Sequence, residues 1–229
     1  SKSINDRINL IKKTKKIIFN SNWTKSKFLQ GLKIKNEYKK KLDVIYQSTN
    51  SKKVNFKKKK KLIIFVGRLN SSKGYDIFGK AVLKIFEVYK EWKAVVIGDE
   101  PREKIQFNHK RLSILGFLEH KKVTNWFIKS EIAVVCSRWE EPFGRTALEA
   151  TSSGCAVIIT NRGGLPEAAP NAIKINNLNV NSVKVSIENL IKNKKFRNKL
   201  QKKSFRSFYL TNILISKKID KYRSELIKF

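Results

Sequence analysis

The chain has 229 residues, 41% of them hydrophobic, enough to fold as one large domain or as one and a half small ones around a real core. It has no apolar run near the roughly 20 residues of a membrane-spanning helix and no apolar N-terminal signal region, and its two cysteines lack the spacing of a disulfide framework or a zinc site. The formal charge of +33, from 51 Lys and Arg against 18 Asp and Glu, favours anionic partners, but lysine is spread over every segment alongside abundant Asn and Ile, so nucleic-acid binding is not expected.

In chain order, residues 4–11 have a helical pattern, Ile17-Ile18-Phe19 is a short apolar run, residues 24–32 are again helix-like, and Val44-Ile45-Tyr46 is a second short run. Residues 1–46 thus read as an αβαβ remnant of a larger domain. With methionine absent even at position 1 and the chain opening in mid-pattern, a fragment is expected. Residues 47–61 have no apolar periodicity and end in five consecutive lysines, Lys57 to Lys61, the composition of a solvated basic linker.

From Leu62 onward, β-like runs at 62–66, 94–98, 112–115, 132–136, 155–159 and 172–175 alternate with amphipathic helical segments at 75–91, 120–129, 144–153 and 179–192. Such alternation predicts an α/β domain with a parallel, doubly wound, Rossmann-like sheet over residues 62–208. Two more helical stretches follow, one reaching Phe208 and one in the C-terminal segment 209–229. Gly67, Gly98, Gly116 and Ser137 fall at strand ends, where ligands of such sheets gather. Cys136 and Cys155 sit in apolar runs and are expected to be buried, reduced thiols of a cytoplasmic protein. His109 and His120 lie in polar connections and are expected at the surface.

The segment from Glu140 to Ala150, Glu-Glu-Pro-Phe-Gly-Arg-Thr-Ala-Leu-Glu-Ala, carries the most chemistry. Pro142 and Gly144 break the extended run before it, Arg145 to Ser153 suits a helix, and Gly154 is placed to end that helix. The first backbone N–H groups of a helix have no partner within it and lie at its positive end, so Gly144, Arg145, Thr146 and Ala147 offer donors to an anion. Glu141 and Glu149 flank that end as acceptors suited to sugar hydroxyls, and Phe143 would fix the turn by packing. Phosphate donors between hydroxyl acceptors imply a sugar nucleotide.

Glu141 and Glu149, with seven residues between them and followed by Gly154 and Val157-Ile158, resemble the signature of the retaining glycosyltransferases of GT-B family four. In the same order as in that family come Val66-Gly67-Arg68-Leu69 with Lys73-Gly74, Val96-Ile97-Gly98-Asp99, Leu115-Gly116-Phe117 and Gly163-Gly164-Leu165-Pro166-Glu167. The resemblance covers residues 62–229 and implies a donor-binding C-terminal domain behind the tail of an N-terminal acceptor domain. Where the family has a Pro-Asn-Gly-like turn after the Val-Ile run, this chain has Tyr46-Gln47-Ser48.

By that resemblance Arg68 and Lys73 neutralise the diphosphate of a nucleotide sugar such as a UDP-sugar, with Gly67 leaving room at the strand end. Glu149 accepts from the ribose hydroxyls, Glu141 lies by the transferred sugar, and Gly116 and Phe117 wall the nucleobase. Asp99, Glu100 and Arg102 follow on the same rim. The implied reaction is transfer with retention to a glycan or lipid-linked acceptor, as in cell-envelope polysaccharide or lipopolysaccharide synthesis. No metal or other cofactor is expected, and the protein would lie in the cytoplasm, peripherally at the inner face of an anionic membrane. The chain alone would bind donor yet be incomplete as a transferase. A nucleotide-sugar epimerase or a phosphorylase on the same fold, and more remotely a basic nucleic-acid-binding protein, are the alternatives.

Overall fold

The computed structural model describes residues 2–227, which form two compact units. The smaller comprises the chain up to Asn50 together with the segment from Tyr209 onward, and the larger runs from Ser51 to Phe208.

The smaller unit opens with α1 (Lys2–Lys13), β1 (Ile17–Phe19), α2 (Asn22–Leu29), α3 (Asn36–Lys39) and β2 (Leu42–Val44). The two strands pair in parallel, Ile17 with Leu42 and Phe19 with Val44, so the second strand starts two residues before the Val44-Ile45-Tyr46 run that marks it in the sequence. Ladder pairing with β1 fixes its position, and Ile45 adds one more bond by donating from N to Phe19 O at 2.9 Å. Helix α2 also starts earlier than its apolar pattern, because Ser21 and Thr24 form a capping box, the Ser21 Oγ accepting from Thr24 N at 2.9 Å.

In the larger unit β3 (Lys60–Val66), α4 (Tyr75–Val88), β4 (Lys93–Ile97), β5 (Leu112–Ile114), α5 (His120–Lys129), β6 (Ser130–Val135), α6 (Arg145–Ser152), β7 (Ala156–Thr160), α7 (Leu165–Ala168), β8 (Ile173–Ile175), α8 (Val180–Lys192) and α9 (Lys194–Arg206) follow one another. The chain then returns to the smaller unit as α10 (Asn212–Ile227), where Thr49 N donates to Leu210 O at 3.1 Å and Lys218 Nζ to Val44 O at 3.0 Å.

The six strands of the larger unit are all parallel, in the order β5-β4-β3-β6-β7-β8. Helices cover both faces, so inward alternation gives way to unbroken burial: Leu62 to Phe65 and every residue of β7 are buried. Ile63, Phe65, Val96, Val134 and Ile158 join Phe78 and Ile85 of α4 and Val183 and Ile187 of α8 in one core cluster. Helices α5 and α6 pack against each other and against β6. The short α7 carries no apolar periodicity, and the sequence reading missed it. Both cysteines are buried, and burial pushes the Cys136 thiol up to about 12.

Past Ser51 the stretch read as a solvated basic linker keeps four of its five consecutive lysines exposed but belongs to the larger unit and docks on it. Phe56 sets its ring edge-on to Phe205 at 5.5 Å, and Asn55 caps the turn at 56–58. Among the five lysines only Lys59 is drawn inward. Its ammonium donates to the carbonyls of Phe127, Ile128, Ser130 and Ser153 at 2.8 to 3.3 Å, closing the C-terminal ends of α5 and α6, whose last carbonyls have no helical partner. Burial pushes the Lys59 ammonium below its ordinary range.

Candidate functional site

The strand order of the larger unit reverses between β3 and β6, the strands from which the chain winds outward in opposite directions. At such a switch point the loops leaving adjacent strands diverge and open a crevice at the carboxyl ends. Two cavities open there, of about 400 Å³ and about 170 Å³, and Val66 and Gly67 line both. The larger is also bounded by Arg68, Asp99, Phe117, His120 and Glu149, and the smaller by Lys73, Ser137, Glu141, Gly144, Arg145 and Thr146.

The smaller cavity is built around two interlocked loops. After β3 the Asn70 Oδ1 accepts from Lys73 N at 3.1 Å and from Ser72 Oγ at 2.9 Å, which turns the chain tightly enough to aim the Lys73 side chain inward. After β6 the backbone of Arg138 donates to Ser72 O at 2.8 Å, and its guanidinium grips the Asp76 carboxylate through two bonds of 2.6 and 2.7 Å. That grip holds the Asp76 carboxyl below the usual carboxylate range, against the opposing effect of burial. Glu141 then comes within direct ion-pair contact of the Lys73 ammonium.

Helix α6 starts at the floor of this cavity. Gly144 enters it at φ 103°, a left-handed conformation that a side chain would strain, and a Cβ there would lie 2.5 Å from Leu165 Cδ2. No side chain caps the helix, so the N–H groups of its first turn remain available. The Gly163-Gly164 turn presses against the same loop: Gly164 N donates to Glu141 O at 2.7 Å, and a Cβ on Gly164 would meet Pro142 O at 2.5 Å. The two glycines therefore set the height of Glu141 over the cavity. Phe143 is buried beneath the turn, and Ala147 is buried within the helix without lining either cavity.

At the larger cavity Glu149, buried in α6, accepts at Oε1 from Arg145 Nε at 3.2 Å and lies 3.0 Å from His120 Nε2. Phe117 is 83% exposed and stands free at the mouth. Gly116 lies behind it and does not line the cavity; its carbonyl accepts from Gly98 N at 2.8 Å and ties the ends of β4 and β5 together. Arg68 is exposed on the rim. Glu100 is turned away into a brace: Arg102 holds it through two bonds and Asn70 through a third, at 2.8 to 3.1 Å, and the Arg102 guanidinium lowers its carboxyl to about 2.

Residues expected at one edge of the sheet thus meet around one crevice, divided between its two cavities. Sequence reasoning missed Asn70, Asp76 and Arg138, which shape the loops, and gave His120 no role. His120 is half exposed, as a surface residue should be, but it is also the first residue of α5 and sits three residues beyond Phe117, the one signal of its place on the rim. His109 is structural, stacking on Phe86 at 4.7 Å.

Comparison with known proteins agrees with this architecture. The family described as Glycosyl transferases group 1 matches residues 47–207, nearly the span of the larger unit. Spore coat protein SA of Bacillus subtilis (strain 168) is 33% identical over 121 residues, covering 47% of this chain and 32% of that protein. The phosphatidylinositol N-acetylglucosaminyltransferase GPI3 subunit of Saccharomyces cerevisiae (strain YJM789) is 29% identical over 134 residues, covering 56% of this chain and 29% of its own. In fold, the pneumococcal O-GlcNAc transferase GtfA, solved in complex with UDP and GlcNAc, is similar with a TM-score of 0.78 at 17% identity, over 99% of this chain and 47% of that one. The match thus spans less than a third of the length of either the bacterial or the yeast relative. The parallel sheet, the crevice at its switch point and the family match over most of the sequence make this chain a member of the group 1 glycosyltransferases, with a GT-B fold.

Proposed function

We propose that the crevice is the donor site of a retaining glycosyltransferase of GT-B family four, and that its donor is a UDP-sugar. The observation that carries the reading is the convergence on one crevice of Lys73 and the uncapped start of α6 at the smaller cavity with Arg68 and a buried, oriented Glu149 at the larger. Cations and helix N–H groups suit a diphosphate, and a carboxylate suits the hydroxyls of a ribose. The UDP held by the pneumococcal enzyme of similar fold supports the choice of base.

In the reaction the bond between the sugar C1 and the β-phosphate oxygen breaks, and negative charge builds on that oxygen. The first N–H groups of α6 are fixed in place before this happens, and Lys73 and Arg68 border the same crevice, so together they stabilise the charge. Lys73 must first exchange Glu141 for the diphosphate, which releases the carboxylate toward the sugar. There it accepts a hydroxyl hydrogen bond or faces the positive charge developing on the ring. The acceptor oxygen bonds to C1 from the side the leaving group departs, and its proton passes to a donor phosphate oxygen, which retains the anomeric configuration. This route gives no step to a metal.

The acceptor in this reading is a glycan or lipid-linked sugar of the cell envelope, on the polysaccharide or lipopolysaccharide pathway. The net charge of +33 supports work in the cytoplasm against the anionic inner face of a membrane. No described helix is long and apolar enough to cross one. A thermal-shift screen of the chain against nucleoside diphosphates and their sugars tests the donor assignment. A ligand at about 100 times its dissociation constant adds roughly 2.7 kcal/mol of stability, so UDP should raise the melting temperature well above the effect of inorganic phosphate. Equal shifts with both would contradict it.

A further inference from the structure

The carboxylate of Glu149 is loaded on one side only. Oε1 receives Arg145 and faces His120 Nε2 at 3.0 Å, while Oε2 has no hydrogen bond among the described residues. The carboxylate is buried and borders the larger cavity, so the oxygen left open is its remaining acceptor for whatever enters.

The two donors are not equivalent. Arg145 stands four residues before Glu149 on the same helix, and its side chain is 64% exposed, so it steadies the carboxylate only against its own backbone. His120 comes from α5, 29 residues away in sequence, and leads that helix directly after the segment that holds Phe117. Through His120 the carboxylate is therefore tied to a second element of the cavity lining, α5. An Nε2–H is present both in one neutral tautomer and in the imidazolium, so the link holds in either state. Lys52, within electrostatic reach of Glu149, and Arg68 and Asp99 on the rim complete the charged surroundings.

We infer that His120 is a positioning residue that makes this site selective for ribonucleotides, by holding Glu149 with its second carboxylate oxygen turned to the 2′-hydroxyl of the nucleotide. The inference rests on the donor-site reading above. A site built to hydrogen-bond a hydroxyl rejects the analogue that lacks it, because its buried polar atom is then left unpaired. A carboxylate free to rotate away from the cavity recovers that loss by finding water. The selectivity therefore depends on what holds the carboxylate in place as well as on the carboxylate itself.

The test is calorimetric titration of the 229-residue chain with UDP and with 2′-deoxy-UDP, in wild type, His120→Leu, His120→Gln and Glu149→Gln. The wild type should prefer UDP by about tenfold. His120→Leu should lose most of that preference, and His120→Gln should keep it, because the glutamine amide also donates. Being a ratio measured on one protein, the preference is insensitive to a partly unfolded sample, and a half-exposed histidine carries little packing. If Glu149→Gln abolishes the preference while His120→Leu leaves it intact, the role of His120 is overturned and the donor reading stands. If UDP does not bind the wild type, or Glu149→Gln keeps the full preference, the ribose assignment fails and the inference fails with it.

Discussion

The two ends of the crevice treat their charges in opposite ways. Around the smaller cavity the principal cation and carboxylate, Lys73 and Glu141, are partners of each other, both of them only partly buried. Around the larger cavity Glu149 is buried and braced at one oxygen by donors, leaving the other oxygen to the cavity. A site for a diphosphate can store its cation in an ion pair, since an incoming polyanion competes well for it. A site for a neutral hydroxyl cannot, because one hydrogen bond is too weak to open a salt bridge and must meet an acceptor already in place. The two ends are thus poised for ligands of different charge.

Breaking the first end should have the largest effect. Lys73→Ala removes a charge-assisted contact worth about 1.5 to 3 kcal/mol, so UDP should bind roughly ten- to a hundredfold more weakly by calorimetry. Arg68→Ala, on the rim of the larger cavity, should act in the same direction but less, because Arg68 is exposed. Unchanged affinity in both variants would remove the diphosphate from these two cations. Next comes the backbone beneath it: Gly144→Ala forces a side chain into a left-handed conformation against Leu165, at a cost of order 1 to 3 kcal/mol in stability, readable in denaturant titrations.

A smaller effect sharpens the comparison. Glu141→Gln takes away the competitor for Lys73, so UDP affinity should hold or rise a few-fold while glycosyl transfer falls; Glu149→Gln should instead weaken UDP by about 0.5 to 1.5 kcal/mol. If Glu141 proved the stronger determinant of UDP affinity, the two roles would be reversed. The smallest effect lies on the brace behind the larger cavity. Arg102 and Asn70 lower the Glu100 carboxyl from 4.5 to about 2, so its contribution is complete above the higher value and is lost as pH falls through the lower. The melting-temperature gap between wild type and Glu100→Gln should therefore be present at neutral pH and close over that acidic window.

Much of this was legible in the sequence. The central strands of the larger unit carry unbroken apolar runs because both faces are covered, and Gly67, Gly98 and Gly116 mark where strands stop, so the sheet and its ligand-facing edge could be read to within a residue or two at most boundaries. In the smaller unit two three-residue strands leave little apolar pattern, and the capping box at Ser21 and the pairing of Leu42 with Ile17 decide the boundaries instead. In the site, the types of residue were readable and their partners were not. Lys73 with Glu141 is a contact across 68 residues, Arg138 with Asp76 across 62, and His120 with Glu149 across 29. Each depends on which loops the strand order brings side by side. Lys59 is the sharpest case: inside a run of five lysines nothing local separates the one that binds four carbonyls from its solvated neighbours.

The division of the crevice is tested most directly by titrating wild type and Lys73→Ala in parallel with UDP and with uridine. The expected result is that wild type binds UDP far more tightly than uridine, and that Lys73→Ala sharply narrows the gap while leaving uridine affinity unchanged. If the gap in Lys73→Ala were as wide as in wild type, or if uridine weakened as much as UDP, the smaller cavity would not be where the phosphates bind.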